Sequence, residues 1–128
     1  MTQKTVIISG GTRGLGRALA LSFGTHDFTV VALYSSDRAA AEALEHEFQV
    51  QHINGSCILA NEFSLSEGGE LFLVHNAVSS FHPKPFHLWG ANEWKAQIET
   101  SLTLSIELNR KVIVPMLRMG KGTITHIL

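Results

Sequence analysis

The stretch Thr5-Val6-Ile7-Ile8-Ser9-Gly10-Gly11-Thr12-Arg13-Gly14-Leu15-Gly16 decides the fold. Its first part is a continuous apolar run rich in β-branched residues, the pattern of a strand buried on both faces. Its second part places glycines at 10, 14 and 16, directly after that strand. From there the apolar positions Leu15, Leu19 and Phe23 fall four apart, one stripe of a helix. Strand, glycine turn and helix in this order have a physical logic. The first glycine turns the chain out of the strand, the second lets backbone approach a pyrophosphate, and the third allows close packing of helix on sheet. The helix N-terminus then offers unpaired N–H groups and a positive dipole end to phosphates. Nucleotide binding at Gly10, Gly14 and Gly16 is the expectation.

Outward from this stretch, strands and helices alternate. Thr29-Val30-Val31-Ala32-Leu33-Tyr34 reads as a second strand. The next helix is capped by Ser36 or Asp37, buries Ala40, Leu44 and Phe48, and turns Glu42, Glu45 and Glu47 to water. The turn Asn54-Gly55 leads to a third strand, Cys57-Ile58-Leu59-Ala60, and Leu71-Phe72-Leu73-Val74 is a fourth. A long helix starts near Asn92, with a stripe at Trp94, Ile98, Leu102 and Ile106 and further apolar residues, Leu104 and Leu108, on its other side. Pro115 is expected to kink it, and Gly120 and Gly122 to stop it. Thr123 to Leu128 reads as the last strand.

This alternation predicts one α/β domain over residues 1–128, a doubly wound parallel sheet of about five strands. Only ten residues, Asn61 to Glu70, with Gly68-Gly69 among them, join the third strand to the fourth. In a sheet ordered 3-2-1-4-5 they must cover a diagonal of about 22 Å, and ten extended residues reach about 33 Å. The crossing is feasible without room for a full helix. The helix between strands 3 and 4 is therefore expected to be missing or much reduced, leaving one sheet face thinly covered.

Composition narrows the class. The chain has 45% apolar and 16% charged residues and a net charge of −1, which excludes a disordered chain and disfavours nucleic acid as a partner. Lys4, Lys84, Lys111 and Lys121 are scattered, so no basic stripe forms. No apolar stretch approaches the roughly 20 residues of a membrane helix, and Met1-Thr2-Gln3-Lys4 opens no signal-peptide pattern. The single cysteine, Cys57, reads as a small buried hydrophobe and suits a reducing cytoplasm. His82 and His87, five apart with no carboxylate or cysteine nearby, do not make a metal site. Trp89 and Trp94 are expected to pack under the proline loop.

The glycine pattern resembles that of the short-chain dehydrogenase/reductase family, Thr-Gly-x-x-x-Gly-x-Gly, with Ser9 standing for the threonine. The resemblance runs through almost the whole chain. His75-Asn76-Ala77-Val78 is similar to the family's Asn-Ala-Gly motif, with Val78 in place of the glycine. Pro85-Phe86 followed by Trp94 resembles the family's loop before its long helix, and Met116, Gly120, Gly122 and Ile124 resemble the approach to its fifth strand. The resemblance implies a Rossmann-like fold and a nicotinamide dinucleotide held by Gly10, Thr12, Arg13, Gly14, Leu15, Gly16, Asn76 and Ala77. Asn61 would stand where the family's adenine-contacting aspartate lies.

After Leu33 the chain reads Tyr34-Ser35-Ser36, with no acid until Asp37. NAD-specific sites place a carboxylate here, whereas Arg13, Ser35 and Ser36 suit a 2′-phosphate. NADP is thus expected in preference to NAD. The family moves a hydride between a carbonyl and an alcohol, using a serine after its fifth strand and a Tyr-x-x-x-Lys pair. These 128 residues hold no such set: the only tyrosine, Tyr34, has no lysine four residues on, and the family's helix asparagine falls near Ser101 or Leu102. The expectation is therefore an NADP-binding part without its catalytic half, unable to turn over a carbonyl substrate alone. A non-catalytic nucleotide-binding or regulatory module, or an interaction protein completed by a partner chain, are the alternatives. Ile124, Ile127, Leu128 and the long helix's stripe are expected to lie uncovered and to drive homo-oligomerisation through that helix and the last strand.

Overall fold

The computed structural model describes residues 3–65, 69–77 and 83–127. Their apolar runs form β1 (Lys4–Ser9), β2 (Thr29–Tyr34), β3 (Gly55–Leu59), β4 (Glu70–His75) and β5 (Thr123–His126), one sheet in the order β3-β2-β1-β4-β5. Every neighbouring pair is parallel, with Ile7 opposite Val31 on one side and Leu73 on the other. This is the doubly wound, Rossmann-like sheet expected from the alternation. Side chains alternate between its faces, as strand geometry requires. Val6, Ile8, Val30, Ala32 and Val74 pack with Ala20 of α1 (Gly14–Thr25) and with Leu44 and Phe48 of α2 (Arg38–Val50). Ile7, Leu33, Leu71 and Leu73 point the other way.

That second face carries less cover. After α3 (Ala91–Ile98) and a π-helical turn (Glu99–Thr103), α4 (Leu104–Met119) lays Leu108, Val112 and Met116 against it. The short link after β3 supplies a 3-10 turn (Ala60–Glu62) and then Phe63, which is buried in the same cluster. Lys111 of α4 donates to the Phe63 carbonyl at 2.8 Å and so ties the link to the helix. One helix and one inserted phenylalanine thus stand where the other face has two helices, and β3 stays half-buried along most of its length. Gly68 of the link lies outside the described residues.

Details of the helices differ from the periodicity reading. In α1, Leu15 is exposed, and Gly16 and Ala20 carry the buried contact, with Leu19 and Phe23 packed at its margin. In α2, Asp37 is the cap, accepting the Ala40 N–H at 3.0 Å, and Ala41 rather than Ala40 joins Leu44 and Phe48 in the core. The stripe Trp94, Ile98, Leu102 and Ile106 faces outward, as expected of uncovered residues, but Leu108 is buried and Leu104 partly so. The helix continues past Pro115 to Met119 and ends at Gly120, whose φ of 80° lets its N–H reach the Met116 and Leu117 carbonyls. Trp89 packs on the loop, donating to the Lys84 carbonyl at 3.1 Å, whereas Trp94 is exposed beneath Lys95. On β5, Ile124 and Ile127 are partly exposed, and Leu128 lies outside the described residues.

Cys57 packs against the α1/α2 face. Burial, aided by the Glu45 charge, pushes its thiol up to about 12. The thiolate is the reactive form, so alkylation of the folded protein at pH 8 is expected to run about 100-fold slower than in denaturant. Equal rates, followed by intact mass, would contradict this placement of Cys57.

Candidate functional site

At the C-terminal ends of β1, β2 and β4 the chain leaves a cavity of about 740 Å³. Gly10, Thr12, Arg13, Gly14 and Leu15 line one wall, Leu33 through Asp37 another, and Ala60, Asn76, Ala77, Glu99 and Leu104 complete it. The topological switch in strand order lies here, between β1 and β4, where open α/β sheets bind ligands. Volume and location both suit a sizeable ligand.

The glycine loop is held in shape by the segment after β4. Ser9, buried at the end of β1, accepts the backbone N–H groups of Asn76 and Ala77, each at 3.0 Å, and donates to the Val74 carbonyl at 3.5 Å. Asn76 Nδ2 in turn donates to the Gly10 carbonyl at 3.1 Å. A serine hydroxyl therefore does the tying at position 9. Gly10 has a φ of 63° and turns the chain out of β1. Gly14 has a φ of 55° with open space beside it, so the backbone is bare where a ligand would approach. Gly16 lies beneath: a Cβ there would sit 2.1 Å from the Gly10 oxygen and 2.6 Å from Asn76 Nδ2. No side chain caps the N-terminus of α1, so its first-turn N–H groups remain available to an anion.

Gly10, Thr12, Arg13, Gly14, Leu15, Ser35, Ser36, Asn76 and Ala77, all read from the sequence, thus meet at one cavity. Two others do not line it. Gly16 acts from below, through the space it leaves, and Asn61 is exposed on the 3-10 turn while its neighbour Ala60 lines the wall. Val78 lies outside the described residues, as does His82. Among the described residues no group of three metal-ligating side chains gathers, and no helix is long and apolar enough to cross a membrane.

Sequence reasoning did not place Leu33, Tyr34, Asp37, Ala60, Glu99 and Leu104 on the walls, nor single out His75, which precedes Asn76. Asp37, read only as a helix cap, also pairs with Arg13, the two side chains 3.5 Å apart. Glu99 reaches the wall from the π-helical turn, which leaves no periodicity signal. His75 was noted only as part of a motif. It is buried at the end of β4, donates through Nε2 to Asn109 Oδ1 of α4 at 2.7 Å, and stacks on His126 of β5 with ring centroids 4.3 Å apart.

Burial pushes the His75 imidazole below the ordinary histidine value; the Asn109 bond works against this shift and the neighbouring His126 adds to it. Above the ordinary value near 6.5 both folded and unfolded forms are neutral, and the titration of His75 adds no pH dependence to stability. Below it, the unfolded chain takes a proton that folded His75 resists, so stability falls as pH falls. The unfolding midpoint of the wild type is expected to drop more between pH 7 and 5 than that of His75→Gln. Parallel pH profiles would refute the assignment.

A family model described as short chain dehydrogenase matches residues 4–128, and the chain belongs to that family. Among curated proteins, the 3-oxoacyl-(acyl-carrier-protein) reductase FabG of Staphylococcus epidermidis is 25% identical over 138 residues, which cover 97% of this chain and 55% of the relative. The protein of the same name from Staphylococcus aureus is 24% identical over 135 residues, with the same shares. The chain spans about half the length of these relatives. Among solved structures, an actinorhodin polyketide ketoreductase crystallised with NADPH superposes with a TM-score of 0.82 at 17% identity, covering 97% of this chain and 52% of that one. An oxidoreductase of the short chain dehydrogenase/reductase family from Burkholderia thailandensis gives 0.77 at 21%, covering 98% and 51%. These structural likenesses establish the Rossmann fold.

Proposed function

We propose that this chain is the NADP(H)-binding part of a cytoplasmic short-chain dehydrogenase/reductase that moves a hydride between a carbonyl and an alcohol. One observation carries the reading: the glycine loop, Arg13, Ser35, Ser36, Asn76 and Ala77 converge on a single cavity at an uncapped helix N-terminus. The bare backbone at Gly14 and the first turn of α1 would hold the pyrophosphate. Arg13, Ser35 and Ser36 would meet the adenosine ribose, where a 2′-phosphate gains a charge-assisted bond. When bound, the nicotinamide would supply or accept the hydride. The names of the reductase relatives and of the NADPH-bound ketoreductase support the same reading.

Equilibrium titration tests it. NADP(H) is expected to bind more tightly than NAD(H), and Arg13→Ala to weaken NADP(H) by about tenfold with little effect on NAD(H), the contact being solvent-exposed. Equal affinities for the two dinucleotides, or an Arg13→Ala loss shared by both, would sink the preference. Self-association through the α3–α4 stripe is part of the same proposal, because Trp94, Ile98, Leu102 and Ile106 remain exposed together. Sedimentation at micromolar concentration should give a species larger than the 14.0 kDa monomer. A monomer at every concentration would remove this part.

A further inference from the structure

The apolar part of the cavity wall and the core beneath α4 share residues. Leu33, Ala60 and Leu104 line the cavity. The same three belong to the cluster around Phe63, Leu73 and Leu108, Leu33 within it and the other two packed against it. Ala60 opens the 3-10 turn after β3, and three residues further on Phe63 is inserted under α4, 4% exposed. Lys111 fastens that insertion. Its Nζ donates to the Phe63 carbonyl at 2.8 Å and lies 5.6 Å from the centre of the Phe63 ring. Leu104, Leu108 and Lys111 follow at spacings of four and three, one face of α4. One wall of the cavity therefore stands on a short irregular segment whose position depends on its tie to the helix. Such segments open locally at little cost when few contacts hold them.

Resting on the dinucleotide reading above, we propose that Lys111 is a positioning residue for the adenine end of the ligand. By holding Phe63 beneath α4 it fixes Ala60 in the wall beside Leu33 and Leu104, and these three form the apolar surface that receives the base. A purine offers two apolar faces and gains most from a wall that is already in place when it arrives. Lys111 does not line the cavity. It acts through the Phe63 carbonyl and the turn that joins Phe63 to Ala60, so the affinity for the adenosine half depends on a bond made outside the ligand's reach.

The experiment titrates NADP+ and adenosine 2′,5′-bisphosphate against the wild type, Lys111→Met, Lys111→Arg and Phe48→Leu, at a temperature where all four are folded. Methionine keeps an apolar stem of similar length and removes the donor and its charge. Lys111→Met is expected to weaken both ligands by the same factor, about 3–10-fold, the loss of a partly exposed charge-assisted bond. Arginine can still donate to the Phe63 carbonyl and lie over its ring, so Lys111→Arg should stay within about twofold of the wild type. Phe48→Leu is the control for stability alone: Phe48 is buried on the opposite face of the sheet, so its variant should unfold earlier without losing affinity. A glutamate-specific protease gives a second readout, because Glu62 is exposed on the turn. Cleavage after Glu62, followed by mass, should quicken several-fold in Lys111→Met, remain unchanged in Phe48→Leu, and slow when NADP+ is bound. Wild-type affinity in Lys111→Met, a loss confined to NADP+, or an equal loss in Phe48→Leu or Lys111→Arg overturns the role of Lys111 while leaving the dinucleotide reading intact. Failure of the folded wild type to bind either ligand overturns that reading and this inference together.

Discussion

Gly16→Ala is expected to destabilise the protein by about 3 kcal/mol, at the upper end of what one buried methyl group costs by overpacking. The new Cβ would sit 2.1 Å from the Gly10 oxygen and 2.9 Å from its carbonyl carbon, both backbone atoms with no rotamer to yield. Relief requires moving α1 off the sheet or displacing Gly10. The second route breaks the Asn76 bond to the Gly10 carbonyl and, with it, the shape of the loop. Dinucleotide binding should therefore fall along with stability. Gly14→Ala provides the contrast. Nothing lies within 4 Å of a Cβ there, so the fold bears only the strain of a positive φ, about 1–2 kcal/mol. Its main loss should be in ligand affinity, where the bare backbone is needed. Chemical denaturation of both variants, with titration of whatever remains folded, separates the two. A Gly16→Ala protein within 1 kcal/mol of wild type, roughly the cost of an ordinary mutation, would show that α1 is free to shift.

Leu108→Ala should cost about 3 kcal/mol, within the range for truncating a buried leucine. Leu108 is 1% exposed and packs with Ile7, Leu73 and Val112 under the sheet. Among the described residues, α4 is the one helix against this face, with Phe63, Ala60 and Leu65 of the link beside it, so no second helix there settles into the cavity left behind. Ile106→Ala, two residues away but 51% exposed, should change monomer stability by no more than about 0.5 kcal/mol. In a self-associating protein its effect would appear instead as weaker assembly. Urea unfolding at low and high protein concentration reads both quantities. Comparable losses from the two variants in a monomer would mean that the helix faces are assigned the wrong way round.

The strands and the glycine loop were legible in the sequence because each is encoded locally. Val6-Ile7-Ile8 and Leu71-Phe72-Leu73-Val74 are short runs apolar on both faces, and their length, β-branched content and neighbouring glycines mark them as covered parallel strands. The long helix was harder because it carries two apolar stripes at the same spacing. Trp94, Ile98, Leu102 and Ile106 form one; Leu104, Leu108, Val112 and Met116 form the other. The first would continue to Arg110, whereas the second stays apolar to its end, and that difference was the available signal. The π-helical turn at Glu99–Thr103 then shifts the phase between the two halves of the helix, which a constant period of 3.6 cannot represent.

The candidate site divides in the same way. Local constraint made Gly10 and Gly14 readable, since a positive φ limits which residues can stand there, whereas Asn76 and Ala77 were legible only through the resemblance of their motif. The Arg13–Asp37 pair could not be read, because the residues lie 24 apart in sequence and meet only when β1 and β2 are in register. Leu15, apolar and in phase with the helix stripe, faces the cavity rather than the core because Gly16 and Ala20 bring α1 against the sheet on another side. The sequence by itself determined an α/β chain with a phosphate-type loop at its first turn, through period, β-branching and glycine placement. Which charge answers Arg13 was decided only by tertiary structure, because that pairing depends on a contact between segments that no local pattern couples.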